Sequence, residues 1–148
     1  VEERAARRPS LITDVGVRLP AHLTASGRAL LSALPPAQLR ALYSESVVFT
    51  QRAELGSTGP TSYRELKTLV TAAHQLGYST ERGEITPGLA SVGVVVKDHM
   101  GWPAAAIAVT FSDPGFPDQK ELDDKIQQLI PEVSSTAAEL SRRIHGAH

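Results

Sequence analysis

The sequence predicts an α+β domain in which helices flank an antiparallel sheet, and three observations support this fold class. Residues 62–77 carry apolar side chains at helical spacing between a capping serine and a terminal glycine. Residues 91–111 hold two apolar runs on either side of a tight turn, which is typical of a β-hairpin. Residues 117–144 place apolar side chains on one stripe of a second, longer helix.

The composition is that of one soluble domain. With 148 residues, of which 41% are hydrophobic and 21% charged, the chain can bury a single core. The formal net charge of −1 argues against a nucleic-acid-binding surface spread over this chain. The absence of cysteine excludes disulfides and thiolate metal sites and fits a reducing cytoplasm. Because neither a membrane-spanning run nor a signal peptide is recognisable, we expect a cytoplasmic protein with no membrane partner.

Two helices are predicted in the first part of the chain. Thr24 is expected to cap a helix over residues 25–34, which a pair of prolines ends. A second helix over residues 36–43 begins with Pro36 in its first turn, where the missing N–H has no helical acceptor to lose.

A loop and the helix with the clearest signals come next. Residues 51–61 collect glycine, serine, threonine and proline and are predicted to form a surface loop. Ser62 and Glu65 fit a capping box, and Gly77 stands where a helix commonly ends in the left-handed conformation.

Strands and a final helix complete the prediction. Residues 78–82 alternate in polarity, and residues 91–98 and 102–111 form the expected hairpin. The final helix, residues 117–144, has acidic residues near its start and arginines near its end, as the helix dipole favours. Pro131 is expected to kink it.

The first turn of the first helix is built from the small residues Ala25, Ser26 and Gly27. The first amides of a helix lack an acceptor within the helix and carry the positive end of its dipole. A first turn without bulk can therefore receive a carboxylate or a phosphate. Close helix packing also explains the small residues, and on this stretch alone it is the favoured interpretation.

Two segments of the chain resemble the IclR family of bacterial transcriptional regulators. Residues 77–98, "GYSTERGEITPGLASVGVVVKD", are similar to the family signature, and the matching positions are Gly77, Tyr78, Glu84, Gly88, Leu89, Val92, Val96 and Asp98. Residues 19–35, "LPAHLTASGRALLSALP", are similar to a second family segment, and the matching positions are Pro20, His22, Thr24, Gly27, Arg28, Ala29, Leu30 and Leu31. The resemblance runs from about residue 15 to the end of the chain.

The resemblance implies the effector-binding domain of such a regulator, with a GAF-like fold whose curved antiparallel sheet is flanked by helices. Residues 1–148 are then expected to be an effector domain truncated at its N-terminus, without the winged helix-turn-helix that binds DNA. The implied function is to bind a small organic acid, to form homodimers or tetramers, and to modulate DNA binding by a domain outside this chain. No enzyme activity and no cofactor are implied.

The family's ligand pocket can be carried onto this chain position by position. Backbone amides that hold ligand acids in the family fall on Ala25 and Ser26. The other implied effector-binding positions are Glu81, Leu89, Ser91, Ala108 and Thr110, with Leu11 and Leu19 as further candidates for the apolar wall.

Three positions depart from the family pattern, and two of them belong to the implied pocket. Glu81 stands where aspartate is commoner, Lys97 where an aromatic residue is preferred, and Ala108 where a hydroxyl often lies. A buried carboxylate facing an anionic ligand must be protonated, bridged by water, or bound to a ligand hydroxyl, because like charges repel. The departures therefore favour a hydroxylated acid, or a larger and less polar one.

Two other classes of function are weighed beside the sensor. A GAF-like dimerisation module would fill its pocket with side chains and bind no ligand. A small hydrolase or isomerase would need a nucleophile or an acid pair; Ser26 lacks a Gly-x-Ser-x-Gly elbow, and Glu81 with Glu84 is a common pairing of surface acids. The spacing of His145 and His148 is too weak to indicate a metal, so neither catalytic residues nor metal ligands are predicted.

Overall fold

A computed structural model describes residues 16–49, 59–113 and 119–145 of the chain. In chain order its elements are α1 (Ala25–Ser32), α2 (Pro36–Leu42), α3 (Tyr63–Leu76), β1 (Ser79–Arg82), β2 (Leu89–Lys97), β3 (Pro103–Ser112) and α4 (Gln119–Ile144). Short 3₁₀ turns, Ala21–Leu23 and Ser46–Phe49, precede α1 and follow α2. The predicted α+β class is confirmed.

The helix α1 starts where the sequence predicts. The backbone N–H of Gly27 donates to the Thr24 hydroxyl over 2.9 Å, so Thr24 is the N-cap. The helix ends two residues earlier than expected, at Ser32. The amides of the next two residues, Ala33 and Leu34, bond to carbonyls three residues back instead of four, which tightens the chain ahead of the prolines.

The helix α3 is capped at both ends by the predicted residues. The Ser62 hydroxyl accepts from the backbone N–H of Glu65, and Gly77 ends the helix at a φ of 81°. The Glu65 carboxylate reaches back to Thr61, one residue before the expected box partner, and accepts from its N–H and its hydroxyl. Most of the loop predicted for residues 51–61 lies outside the described residues.

The three described strands form an antiparallel sheet in the order β1-β2-β3. The predicted hairpin is confirmed, and β2 begins at Leu89, two residues before the predicted run. The Asp98 carboxylate accepts from the N–H groups of Met100 and Trp102 and so fixes the hairpin turn.

The two faces of β2 pack against different helices. One face presents Ala90, Val92, Val94 and Val96 to the apolar stripe of α4, whose buried members are Leu122, Ile126, Val133 and Ala137. The helix α4 continues through Pro131 without a break, although a kink is expected there. Its predicted start at residue 117 falls outside the described residues.

The opposite face of the sheet receives α1 at close range. A Cβ at Gly93 would lie 2.7 Å from the carbonyl carbon of Ala25 and 2.9 Å from the amide nitrogen of Ser26. Only a glycine in β2 therefore lets the start of α1 rest on the sheet. Throughout the described part of the chain, no helix has both the length and the apolar character that a membrane crossing requires.

Candidate functional site

A cavity of about 210 Å³ opens where the start of α1 meets the sheet. Since a water molecule occupies about 30 Å³ in the liquid, this space suits a small organic molecule. Its lining comes from the start of α1 and the segment before it, from the β1–β2 connection and from one face of the sheet. The lining residues are Leu19, Thr24, Ala25, Ser26, Glu81, Ile85, Thr86, Leu89, Ser91, Ala108 and Thr110.

The first two residues of α1, Ala25 and Ser26, line this cavity. Of the first three amides, that of Gly27 is taken by the Thr24 hydroxyl, whereas the helix itself offers no acceptor to those of Ala25 and Ser26. Gly27 is small for a packing reason, because a Cβ there would collide with the backbone of Ala21. The small residues of this turn thus divide: Gly27 serves packing, while Ala25 and Ser26 line the cavity.

A polar wall crosses the three strands beside the helix start. The sheet register sets Glu81 opposite Ser91 and Ser91 opposite Thr110. The Ser91 hydroxyl donates to the Glu81 carboxylate over 2.8 Å, and the hydroxyl oxygens of Ser91 and Thr110 are 3.0 Å apart. While Glu81 is ionised, the Ser91 proton is directed to it, and the Thr110 hydroxyl is then the donor to Ser91.

An ion pair lies buried behind this wall. The Arg28 guanidinium donates to the Glu84 carboxylate over 2.8 Å and to the backbone carbonyls of His22 and Thr80 over 2.9 and 2.7 Å. The Arg28 side chain is 4% exposed. All of its contacts are made within the protein, so Arg28 ties α1 to β1 and to the connection after it.

The Glu81 carboxyl titrates far from its ordinary range. Burial is the main cause that raises its pKa from 4.5 to about 7; the neighbouring Glu84 carboxylate acts in the same direction, and the hydrogen bonds from Ser91 and from the Glu84 N–H act against it. Its Oε2 also accepts from the backbone N–H of Glu84 over 3.2 Å. Near neutral pH the protonated and ionised forms of Glu81 are therefore both populated.

The structure brings together eight of the nine residues assigned to the pocket from the sequence. They are Leu19, Ala25, Ser26, Glu81, Leu89, Ser91, Ala108 and Thr110, all of which line the cavity. Leu11 lies outside the described residues. The pair of acids interpreted as surface residues is instead buried, with Glu81 6% and Glu84 8% exposed.

Sequence reasoning missed other features of the site. Thr24, Ile85 and Thr86 also line the cavity, the last two from the β1–β2 connection. The Arg28–Glu84 pair was also missed, although both residues stand in the quoted motifs, because 56 residues separate them along the chain. Within the described ranges, no group of three or more histidine, aspartate or glutamate side chains could hold a metal ion.

Comparison with known proteins places these features in a family. The family model described as the C-terminal domain of the bacterial transcriptional regulator IclR matches residues 2–142. The HTH-type transcriptional regulator KipR of Bacillus subtilis (strain 168) is 28% identical over 134 residues, which are 90% of this chain and 50% of KipR. Both are regulators of transcription and not enzymes.

Two solved structures extend the likeness. The repressor BlcR of Agobacterium tumefaciens is 31% identical, with a TM-score of 0.77 over 93% of this chain and 51% of the BlcR chain. The inducer-binding domain of the transcription factor PobR from Acinetobacter, a double mutant in complex with 3-hydroxybenzoic acid, is 25% identical, with a TM-score of 0.67 over 85% of this chain and 69% of that chain. The chain spans about half the length of KipR and of BlcR.

Proposed function

Because the chain belongs to the IclR family of bacterial transcriptional regulators and corresponds to their C-terminal domain, we propose that it is a sensor whose cavity binds a small organic acid. Binding of the acid modulates DNA binding by a domain outside this chain. The sensor works in the cytoplasm as a homodimer or tetramer. The ligand acts by binding one arrangement of the subunits more tightly than another, since equal affinity for both would shift nothing.

One observation carries the proposal: the start of α1 and the polar wall of Glu81, Ser91 and Thr110 line the same cavity at a fixed spacing. The start of α1 rests over Gly93, whereas Ser91, two residues away in the same strand, belongs to the polar wall. Residues two apart share a face and are separated by roughly 7 Å along a strand. A molecule with a carboxylate at one end and a hydroxyl at the other fits this spacing.

The chemistry of each end supports the same ligand class. The amides of Ala25 and Ser26 donate to a carboxylate, with the helix dipole adding to the attraction. At the wall, the hydroxyls of Thr110 and Ser91 and the Glu81 carboxyl group can exchange hydrogen bonds with a ligand hydroxyl. The complex of PobR with 3-hydroxybenzoic acid supports a hydroxylated acid of this size.

The proposal is tested by a thermal-shift titration of the chain with benzoate, 3-hydroxybenzoate, 4-hydroxybenzoate and lactate. A ligand present at a hundred times its Kd stabilises the folded state by about 2.7 kcal/mol, which raises Tm by several degrees in a domain of this size. We expect 3-hydroxybenzoate or 4-hydroxybenzoate, which carry the carboxylate and the hydroxyl at separate ends, to raise Tm more than benzoate does. The uncharged 3-hydroxybenzamide should have no effect, because the helix start binds a negative charge.

Two variants and a matched control assign the effect to the cavity. Ala25→Pro removes one amide at the first helical position, where proline is tolerated and the preceding Thr24 is already extended. Thr110→Val removes a hydroxyl of the wall, and Thr136→Val makes the same change on the exposed face of α4. The first two should abolish or weaken the Tm shift, and Thr136→Val should retain it.

A dimerisation module without a ligand is the second candidate function. This candidate is favoured by the packing of Gly27, where a Cβ would collide with the backbone of Ala21. Packing alone therefore explains part of the small-residue turn. A folded oligomer whose Tm responds to none of the acids would support this candidate and contradict the sensor.

A further inference from the structure

We propose that the cavity takes up one proton together with its carboxylate ligand and that Glu81 is the residue that holds this proton. The inference rests on the proposed function of the cavity as an acid-binding site. It assigns to Glu81 a role in setting affinity with pH, in addition to its contact with a ligand hydroxyl.

The charges around the cavity are unbalanced before any ligand enters. Arg28 contributes one buried positive charge, and Glu81 and Glu84 contribute two buried carboxyl groups. The guanidinium of Arg28 is committed to Glu84 and to two backbone carbonyls. The Glu81 carboxylate accepts hydrogen bonds from the Ser91 hydroxyl and from the backbone N–H of Glu84, and neither donor is a cation.

The other charged groups nearby do not redress this balance. Arg82 follows Glu81 in β1, so its side chain lies on the opposite face of the sheet from that of Glu81. It pairs there with Asp113, which follows β3. Ser91 and Thr110, which face Glu81 from β2 and β3, carry no charge. The ring of His22 packs edge-on against the rings of Tyr43 and Phe49, within the core beside α2.

A ligand carboxylate at the start of α1 would add another negative charge to this enclosed space. Like charges enclosed in one buried site repel, and protonation of one partner relieves the repulsion. Because the pKa of Glu81 is about 7 in the empty cavity, its protonation near neutral pH requires little free energy. Glu84 is ion-paired with the Arg28 guanidinium, whereas Glu81, within the described ranges, has no cationic partner among its hydrogen-bond donors.

The proposal has a definite consequence for affinity. Above a pH of about 7, Glu81 is ionised in the free protein and must be protonated when the anion binds. The Kd for a carboxylate should then rise up to tenfold for each further pH unit. Below pH 7 the proton is already in place and the Kd should level off.

The experiment is calorimetric titration of the wild-type chain with 3-hydroxybenzoate from pH 5.5 to 8.5. Each pH is measured in two buffers of different ionisation enthalpy, since the difference in apparent enthalpy counts the protons taken up. At pH 8 we expect an uptake approaching one proton for each ligand bound, and a Kd that rises roughly tenfold between pH 7.5 and 8.5.

Two variants separate Glu81 from the other acids. Glu81→Gln carries no titratable proton, so both the uptake and the steep pH dependence should disappear. Glu139→Gln makes the same change on α4, where Glu139 pairs with Arg142 and Arg143 on the surface, and should behave as wild type does. If Glu81→Gln does not fold, the carboxyl carbon of Glu81 in the wild-type protein is followed by NMR with and without 3-hydroxybenzoate. Its titration must then move to higher pH on binding.

The possible failures can be told apart. Saturable binding with no buffer-dependent enthalpy at pH 8, or a Glu81 carboxyl whose titration does not move on binding, would overturn the proton coupling and leave the sensor intact. No saturable binding at any pH would contradict the proposed function and the coupling together.

Discussion

At the scale of single residues, Glu81 carries the most consequence, because the sheet register buries its carboxyl while giving it no cation of its own. It lies between Ser91, which favours the ionised form, and Glu84, which opposes it. Burial dominates, and so the folded protein holds a proton on Glu81 at pH values where an unfolded chain has released it. That difference in proton binding makes stability depend on pH.

The free energy of unfolding should fall as pH rises from about 4.5 to about 7, because in that window the folded state binds the Glu81 proton and the unfolded state does not. Above the folded-state pKa both states have lost the proton and the loss is complete. The raised pKa corresponds to a loss on the order of 3 kcal/mol across the window. Denaturant unfolding of wild type and Glu81→Gln at pH 5, 6, 7 and 8 measures it.

The comparison between those two proteins isolates Glu81, because the remaining groups titrate in both. The stability of wild type relative to Glu81→Gln should fall steadily up to pH 7 and then stay level. Parallel curves over the whole range would mean that Glu81 is solvated and titrates normally.

How far the sequence predicts the site differs from residue to residue. Glu81 and Ser91 could be assigned because they lie in the segment 77–98 that resembles the family signature, and Thr110 because the family's pocket could be carried onto the last strand; the sheet register brings the three into one row. The partner of Arg28 could not be assigned, because its contact with Glu84 depends on how α1 lies across the sheet. No local pattern encodes that placement.

At the scale of elements, the position of α1 on the sheet shapes the cavity. Local signals predicted where the helices begin, since Thr24 and Ser62 act within their own turns. The same signals could not predict that Gly93 lies beneath the start of α1, because a glycine within a strand has several explanations. Ile85 and Thr86 escaped prediction for a related reason: the path of the β1–β2 connection is set by what it packs on.

Gly93→Ala tests the contact between α1 and the sheet. The new Cβ would lie 2.7 Å from backbone atoms of Ala25, and backbone cannot escape by changing rotamer. We expect a loss of about 1–3 kcal/mol of stability, which is typical of overpacking. A weaker Kd for 3-hydroxybenzoate should accompany it, because α1 must move away from the sheet. Denaturant unfolding and calorimetric titration measure the two effects.

Gly101→Ala is the control for this variant. Gly101 lies in the hairpin turn at a φ of 81°, where alanine is strained but meets no atom within 4 Å. It should lower stability while leaving the Kd unchanged. If Gly93→Ala bound 3-hydroxybenzoate as tightly as wild type, α1 would not form one side of the binding site.

At the scale of the whole molecule, the two faces of the sheet have different functions. The face toward α4 is apolar and belongs to the main core, whereas the face toward α1 holds the polar wall and the cavity. The chain spans about half the length of KipR and BlcR, and we propose that the sensor controls a DNA-binding domain beyond it. Arg28 connects α1 to β1 and to the β1–β2 connection, so we propose that a displacement of α1 on ligand binding would be passed to both.

The carboxylate contact at the start of α1 is best examined by titrating the ¹⁵N-labelled chain with 3-hydroxybenzoate and following the backbone amide resonances. We expect saturable shifts of the amides of Ala25 and Ser26, because those N–H groups donate to the carboxylate, and no such shifts with 3-hydroxybenzamide. Amides of Ala25 and Ser26 that stay unmoved, whether the acid binds elsewhere or not at all, would contradict the proposed contact.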